Sequence, residues 1–251
     1  MLGASIMDPR ISALTAEIET DHWWYRGRRR ILRSVLDRYA PTQPPSRSVI
    51  EIGCGSGGNL ALLSRYGELF AVEPDDSARA HATRRGIGHI TKGWLPDALP
   101  YEDRRFDLVA ALDVLEHVND DGKAVTVMRN LLARGGLLVV TVPAYQWLWS
   151  RHDEVSHHRR RYTREGIAAI LSAAGLQVLY STYFNTLLFP VSVAYVTLAA
   201  LTRIAPERAM QIPPGPVNRA LEAVFGVESL LIPPASLPYG VSILACAWAG
   251  P

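Results

Sequence analysis

The chain has 251 residues, of which 48% are hydrophobic, so it is long enough for one globular domain with a substantial core and some elaboration. Its formal net charge of +2 predicts no nucleic-acid partner, which a strongly basic chain would favour. Two cysteines far apart, Cys54 and Cys246, and an N-terminus without the pattern of a signal peptide predict a reduced, cytoplasmic protein.

Apolar residues recur at helical spacing between residues 11 and 39, so the N-terminal part is predicted to be helical. Within it, three adjacent aromatic residues stand beside four arginines in residues 21–30. In one interpretation the rings pack on the core and the arginines are solvated. In the other the segment is a lid over a ligand, with an arginine holding a carboxylate by two hydrogen bonds. We treat residues 1–45, which end in a proline-rich linker, as a helical lid that precedes the core.

A strand–turn–helix unit follows, and its turn is rich in glycine. Residues 48–52 predict a buried strand, and a helix is expected from Leu60. Gly53 and Gly55 leave backbone N–H groups bare, so a ligand can approach the main chain closely. The run 53–58 also fits the G-x-G-x-x-G pattern, so the glycines by themselves leave both a dinucleotide site and a nucleoside site open.

Two carboxylates flank this turn. Glu51 stands two residues before the first glycine and can accept hydrogen bonds from an amino group or from the loop. Glu73 ends the second predicted strand, residues 69–73, where an acid can accept hydrogen bonds from two ribose hydroxyls. The alternative for Glu73 is a helix-capping or surface acid. No set of residues for hydride transfer occurs in the rest of the sequence, which favours the nucleoside site.

The run Glu51-Ile52-Gly53-Cys54-Gly55-Ser56-Gly57 resembles E-x-G-x-G-x-G, the first motif of the class I S-adenosylmethionine-dependent methyltransferases. A second resemblance is the F-D-L-V of the fourth predicted strand, residues 106–112, with the L-E-H that follows it. The resemblance covers about residues 22–183 and the final strand. It implies S-adenosyl-L-methionine as the cofactor and S-adenosyl-L-homocysteine as the product, and it favours the lid. The residues it implies for cofactor binding are Trp24, Arg28, Glu51, Gly53, Cys54, Gly55, Glu73, Pro74, Trp94, Leu95, Asp113, Val114 and Leu115.

The same resemblance would bring His117 near the transferred methyl group. An imidazole with a pKa near neutrality could take a proton from a hydroxyl or amine nucleophile, so His117 is the candidate catalytic base. The alternative is that His117 only orients a loop or contacts the cofactor, since many members of the resembling family share this histidine whatever they methylate.

Residues 144–162 leave the common core and are rich in aromatic residues, histidine and arginine. A metal site from His152, Asp153, His157 and His158 is one interpretation, but the spacing matches no standard motif and we predict no metal ion. A solvated insertion is another. We favour an acceptor pocket, because a similar segment occurs in a subgroup of the resembling family, where such insertions commonly select the substrate. Its predicted residues are Tyr145, Trp149, His152, His157, Arg160 and Tyr162.

The segment 184–204 contains a charge-free apolar stretch, residues 187–201, which is short for a membrane span and is interrupted by Pro190. We expect an apolar helix that serves peripheral membrane contact, a homodimer or a greasy acceptor. It belongs to a predicted apolar helical insertion, residues 184–238. Residues 239–251 supply the last strand, which the resemblance predicts to be antiparallel.

Strands that alternate with helices predict a doubly wound α/β fold, with a seven-stranded, mostly parallel sheet and residues 46–183 as the cofactor-binding core. The predicted function is an S-adenosylmethionine-dependent methyltransferase that acts on an oxygen or nitrogen of a small-molecule, sugar or lipid-linked acceptor. Two alternatives stay open: an NAD(P)-dependent oxidoreductase that uses the same glycine loop, and a non-catalytic binding protein that keeps the cofactor fold.

Overall fold

A computed structural model gives the fold and describes residues 9–40, 47–101, 103–202 and 211–250, with side chains from residue 13 onward. The predicted linker at 41–46 and the last residues of the apolar segment, 203–204, lie outside the described residues.

The described strands form one seven-stranded sheet in the order β3-β2-β1-β4-β5-β7-β6. The strands are β1 Ser48–Ile52, β2 Glu68–Val72, β3 His89–Thr91, β4 Phe106–Leu112, β5 Leu132–Pro143, β6 Gln177–Phe184 and β7 Ser242–Trp248. The first five pair in parallel, whereas β7 is antiparallel to both β5 and β6. The predicted fold class is confirmed, including the antiparallel last strand. The chain crosses over between β3 and β4, so the carboxyl ends of β1 and β4 meet beside the glycine turn.

Helices cover both faces of the sheet, and each face has its own hydrophobic core. The described helices are α1 Pro9–Ile18, α2 Trp23–Tyr39, α3 Leu60–Leu63, α4 Asp76–Arg84, α5 Asp121–Leu131, α6 Arg151–Val155, α7 Arg164–Ala173, α8 Phe189–Thr202 and α9 Gly215–Leu231. One core joins the sheet to α5 and α7 through Met128 and Leu171. The other joins it to α2, α3 and α9 through Leu32, Leu60 and Phe225.

The N-terminal segment forms two helices, separated at residues 19–22. His22 caps α2, because its Nδ1 atom accepts a hydrogen bond from the backbone N–H of Trp24 at 3.2 Å. Burial lowers the pKa of His22 to about 4, so the ring is neutral at pH 7 and keeps the lone pair that the cap requires. Most of α2 is a core helix, since Ile31 and Val35 are fully buried against the sheet. Residues 31–36 of the predicted lid therefore contribute to the core, and a lid formed by the residues before them stays a prediction.

The segment before the last strand extends this layer. Helix α9 packs on α2, and Glu222 on α9 forms an ion pair with Arg26 at 2.9 Å. Helix α8 is different, because none of its residues is buried. Across the ranges given above, no helix combines the length and the apolar character that crossing a lipid bilayer requires.

Candidate active site

The glycine turn joins β1 to α3 and follows the carboxyl end of β1. The backbone N–H groups of Gly53 and Cys54 donate to the carbonyl oxygen of Val72, at 2.9 and 3.1 Å, and so tie the turn to β2. Gly53 has a φ of +72°, and a Cβ atom there would lie 2.7 Å from Val114. Gly55 has a φ of +54°, but a Cβ atom there would meet nothing within 4 Å. The space in front of Gly55 is open, as a ligand-binding backbone requires.

Glu73 closes on the turn from the end of β2. Its Oε2 atom accepts a hydrogen bond from the N–H of Gly55 at 2.7 Å, and its Oε1 atom accepts one from the N–H of Asp75 at 3.0 Å. Burial raises the pKa of this carboxyl, while the two backbone N–H groups oppose that rise. Pro74, partly buried, follows it and directs the chain into α4.

Glu51 lies in β1, two residues before Gly53, and is fully buried. Its Oε1 atom accepts a hydrogen bond from the side chain of Asn59 at 3.0 Å, whereas its Oε2 atom is buried without a hydrogen-bond partner among the described residues. Burial raises the pKa of Glu51 from its ordinary 4.5 to about 8. Because buried polar atoms nearly always have a hydrogen-bond partner, we expect a bound ligand to donate a hydrogen bond to this oxygen.

Arg28 reaches across from α2 to the loop after β4. One guanidinium nitrogen, Nη2, lies 2.7 Å from Asp113 Oδ2 and donates to Thr141 Oγ1 at 2.7 Å. The guanidinium also lies 5.1 Å from the centre of the Trp24 ring. Asp113 has a φ of +61° and accepts a second hydrogen bond, from Thr141 Oγ1 at 3.0 Å. In the structure Arg28 contacts the carboxylate of Asp113 through this one nitrogen, and the predicted two-hydrogen-bond contact with a ligand carboxylate stays a prediction.

Two further predicted residues of this loop have different neighbours. Val114 packs against Gly53 and so touches the glycine turn. Leu115 begins a turn of 3₁₀ helix, Leu115–His117, and its side chain is fully buried in the core beside α5 and α7. Its contact with the cofactor stays a prediction.

The predicted adenine contacts at Trp94 and Leu95 are only partly available. The backbone N–H and carbonyl of Trp94 both pair with Ala98, at 2.9 and 3.1 Å, so they are not free for an adenine edge. The Trp94 ring is 38% exposed, whereas Leu95 is buried in the core. An apolar wall from the Trp94 ring stays a prediction.

Glu19, at the end of α1, is a residue of this region that sequence reasoning missed. Its Oε1 atom accepts a hydrogen bond from Ser56 Oγ at 2.7 Å and forms an ion pair with Arg85. Arg29 donates to the Glu19 carbonyl oxygen at 2.8 Å. These contacts fasten the N-terminal segment to the glycine turn. The only signal in the sequence was an acid where the helical pattern breaks, and that does not name a partner.

His117 lies at the end of the same 3₁₀ turn, beside His158 of the insertion, with the two ring centres 4.8 Å apart. Its Nδ1 atom is buried without a hydrogen-bond partner among the described residues. Burial lowers the pKa of His117 to about 3, and the charges of His158, His157 and Arg159 lower it further. The expected pKa near neutrality is therefore wrong, because the ring is desolvated among positive groups. His117 is neutral at pH 7 and is a weak base.

The predicted acceptor residues divide into groups with different surroundings. Arg160 Nη1 forms an ion pair with Asp121 Oδ2 at 2.9 Å, and Tyr162 donates to the same oxygen at 3.0 Å. Both therefore fasten the insertion to the start of α5, and their polar groups are engaged within the protein. His157 is exposed and His152 partly buried, with the Nδ1 atom of His152 unpartnered in the described structure.

Tyr145 belongs to a cluster of aromatic rings. Its ring stacks on Tyr183 at 5.1 Å and on Trp147 at 5.6 Å between centres. Phe189, the first residue of α8, lies 6.1 Å from both Tyr145 and Trp147. The cluster joins the insertion to the apolar helix, a contact that sequence reasoning did not find. Trp149 is partly buried and follows a turn of 3₁₀ helix at Gln146–Leu148.

A surface cavity of about 580 Å³ lies far from these groups. Its lining includes Arg105, Arg134 and Gly250, which lie at the opposite end of the strands from the glycine turn. It is therefore separate from the candidate site.

A model of the methyltransferase domain family matches residues 23–181. The chain belongs to this family. A probable S-adenosylmethionine-dependent methyltransferase of Mycobacterium tuberculosis is 31% identical over 147 residues, 56% of this chain and 52% of the relative. A ubiquinone biosynthesis O-methyltransferase of Methylocella silvestris is 35% identical over 107 residues, 41% of this chain and 42% of that one. The chain thus spans about half the length of these curated relatives.

Solved structures share the fold at low sequence identity. The Haloferax volcanii protein in complex with the Trm112 methyltransferase activator has a TM-score of 0.62 at 18% identity, over 96% of this chain and 95% of that one. The [4+2]-cyclase SpnF has a TM-score of 0.61 at 18% identity, over 96% and 92%. Geranyl diphosphate C-methyltransferase from Streptomyces coelicolor has a TM-score of 0.58 at 13% identity, over 87% and 78%. Proteins that share this fold therefore catalyse more than one kind of reaction, so the fold does not identify the reaction.

The residues at the glycine turn fit the cofactor that the sequence resemblance implies. The unpartnered Glu51 Oε2 atom suits an ammonium group, and the open space at Gly55 suits a ligand lying on the main chain. Glu73 offers both carboxylate oxygens at the end of the neighbouring strand, where they suit two ribose hydroxyls.

Proposed function

We propose that the chain is an S-adenosylmethionine-dependent methyltransferase that moves a methyl group to an oxygen or nitrogen of a small-molecule, sugar or lipid-linked acceptor. The observation that carries the proposal is the pair Glu51 and Glu73 on either side of an open glycine turn, at the carboxyl ends of adjacent parallel strands. Membership of the methyltransferase domain family supports it and favours it over the dinucleotide oxidoreductase.

Each carboxylate has a separate binding role in this proposal. Glu51 takes the ammonium group at Oε2, and the low-polarity surroundings strengthen that contact. Glu73 accepts hydrogen bonds from the two ribose hydroxyls, which either replace the N–H of Gly55 as donors or bind alongside it. Arg28, held by Asp113, supplies positive charge beside the methionine end. When bound, S-adenosyl-L-methionine supplies an electrophilic sulfonium methyl group.

Much of the rate would come from alignment of the acceptor with that methyl group, because holding two reactants in line removes a large entropic barrier. His117 is the candidate proton acceptor, since its neutral ring can take a proton from the acceptor hydroxyl or amine. Its pKa of about 3 makes the transfer unfavourable unless another charge assists it.

The acceptor would carry an apolar or aromatic portion. Tyr145, Trp147 and Phe189 form a ring cluster between the insertion and α8, and the Trp147 ring is 62% exposed. Exposed aromatic rings of this kind bind apolar groups through large contact areas. The exposed apolar face of α8 continues from this cluster, which suits a lipid-linked acceptor.

The decisive experiment is calorimetric titration with S-adenosylhomocysteine and, separately, with NAD⁺ and NADP⁺. We expect the nucleoside to bind and both dinucleotides to fail. Glu73→Gln should weaken nucleoside binding roughly 10- to 100-fold, because a charge-assisted hydrogen bond contributes about 1.5–3 kcal/mol. Glu68→Gln, at the exposed start of the same strand, is the matched control. Binding of a dinucleotide, or equal nucleoside affinity in both variants, would contradict the proposal.

A non-catalytic binding protein is the remaining alternative. It would bind the nucleoside as the enzyme does, so binding alone does not separate the two. Transfer of a radioactive methyl group to any member of a panel of hydroxyl- and amine-bearing acceptors with apolar tails would favour the enzyme. Slow hydrolysis of the cofactor with no labelled acceptor would favour the binding protein.

A further inference from the structure

A cluster of metal-ligating side chains lies between the loop after β4 and the 144–162 insertion. Glu116, His117 and His158 each direct one ligand atom to a common region, and these atoms all lie within 4.8 Å of one another. Two atoms bound to one first-row ion at about 2.1 Å are at most about 4.2 Å apart, so binding needs the side chains to close by roughly an ångström.

The cluster contains buried polar atoms without hydrogen-bond partners, which lower the stability of the fold. Glu116 is fully buried, and neither of its carboxyl oxygens has a hydrogen-bond partner within the described ranges. The Nδ1 atoms of His117 and of nearby His152 are in the same condition. These residues supply four of the ten such atoms in the described part of the chain. Each buried polar atom without a partner costs about 1–3 kcal/mol, and a cation would remove several of these costs at once.

His158 is prepared as a ligand by its own neighbours. Its Nδ1 atom lies 2.8 Å from Asp153 Oδ1, and Arg161 fixes that carboxylate by two contacts, at 2.8 and 2.9 Å. When Nδ1–H donates its hydrogen bond to this carboxylate, Nε2 keeps the lone pair that a metal ion needs. A carboxylate behind a histidine is the usual support of a metal-binding imidazole.

We propose that Glu116, His117 and His158 bind a divalent first-row transition-metal ion, with Asp153 as the positioning residue behind His158. Two imidazoles and one carboxylate suit Zn²⁺, Mn²⁺, Fe²⁺ or Co²⁺, whereas Mg²⁺ and Ca²⁺ prefer oxygen ligands. Three protein ligands leave a coordination position open, as in catalytic sites. This proposal differs from the sequence prediction of no metal ion. The three ligands come from two segments about 40 residues apart, a separation that matches no metal-binding sequence motif.

The first test is metal binding to the full chain without any nucleoside. Protein stripped with a chelator and dialysed is titrated with Zn²⁺ by calorimetry and with Co²⁺ by visible absorption. We expect one ion per chain. Glu116→Gln and His158→Ala should each lower the affinity at least about 100-fold, and Asp153→Asn by about 10- to 100-fold. His157→Ala is the matched control, because this neighbour is exposed and offers no atom to the cluster, and it should bind as the wild type does.

A second measurement keeps the test valid if a variant fails to fold. X-ray absorption of the zinc-loaded wild type should show imidazole scattering with about two nitrogen-bound rings. Absence of binding, absence of that scattering, or wild-type affinity in both Glu116→Gln and His158→Ala would overturn the proposal. As a metal ligand His117 would not also be the proton acceptor, and a use of the open position in methyl transfer would rest on the proposed function. A protein that binds zinc but no S-adenosylhomocysteine would keep the metal site and lose that function, and the converse result would do the reverse.

Discussion

Glu51 is the residue whose protonation is most tightly linked to ligand binding. Because burial raises its pKa to about 8, the carboxyl is mostly protonated at pH 7 in the free protein. An ammonium group beside Oε2 favours the ionised form. Binding of S-adenosylhomocysteine at pH 7 should therefore release close to one proton. Titrations in two buffers of different ionisation enthalpy measure this release, and in Glu51→Gln it should vanish.

The same carboxyl also links folding to pH. The folded protein holds its proton up to about pH 8, whereas the unfolded chain loses it near the ordinary value of 4.5. Its contribution to stability is therefore complete below pH 4.5 and is lost as the pH rises to about 8. The free energy of unfolding of the wild type should fall more steeply over this range than that of Glu51→Gln. Equal slopes, or equal proton release, would mean that Glu51 does not hold this proton.

At the scale of elements, the contact of α2 with α9 depends on a small residue. A Cβ atom at Gly27 would lie 2.4 Å from Phe225 Cδ1, and Phe225 is fully buried between the helices. Gly27→Ala should therefore destabilise the protein by about 1–3 kcal/mol, since an added methyl group in a packed contact forces the helices apart. Urea denaturation measures the change.

The control for this prediction is Gly122→Ala in α5. A Cβ atom there would meet only Asp120 Oδ1, at 3.6 Å, which is ordinary contact. Alanine is a better helix former than glycine by up to about 1 kcal/mol, so this variant should be unchanged or more stable. If Gly27→Ala were as stable as Gly122→Ala, α2 and α9 would not be packed as closely as the structure has them.

At the scale of the whole molecule, α8 is a helix whose apolar side chains are not buried by the described part of the chain. Leu198 and Leu201 are 53% and 78% exposed, and the helix carries no charge. We expect it to adsorb to a lipid surface, where apolar side chains leave water. Leu198→Glu combined with Leu201→Glu should abolish sedimentation of the protein with phosphatidylcholine vesicles. Its free energy of unfolding should change little, because both positions are exposed.

Leu179→Glu is the control, since it makes one substitution of the same kind at an exposed leucine of β6. It should leave vesicle binding unchanged. A wild type that does not sediment with vesicles, or a double variant that still does, would contradict the membrane role. A concentration-dependent dimer that only the double variant loses would assign the helix to a second copy of the chain instead.

The sequence by itself determined the fold class, the family and the glycine turn with its two acids. These features are local: strand and helix periodicity, the three glycines after β1 and an acid before Pro74 are readable because each depends on neighbours along the chain. Element bounds were less well determined: the apolar run after Gly175 predicts a sixth strand at residues 176–180, whereas β6 is Gln177–Phe184 in the structure. Propensity is weak at element ends, and pairing with β7 decides them.

Only the tertiary structure decided which distant side chains meet. Arg28 forms an ion pair with Asp113, and Glu19 accepts a hydrogen bond from Ser56. Arg160 and Tyr162 both contact Asp121. It also decided that His117 has a low pKa and lies beside Glu116 and His158. The type of a residue states what it can bind, but its partner, its burial and hence its pKa depend on how separate elements pack, which is a property of the whole fold.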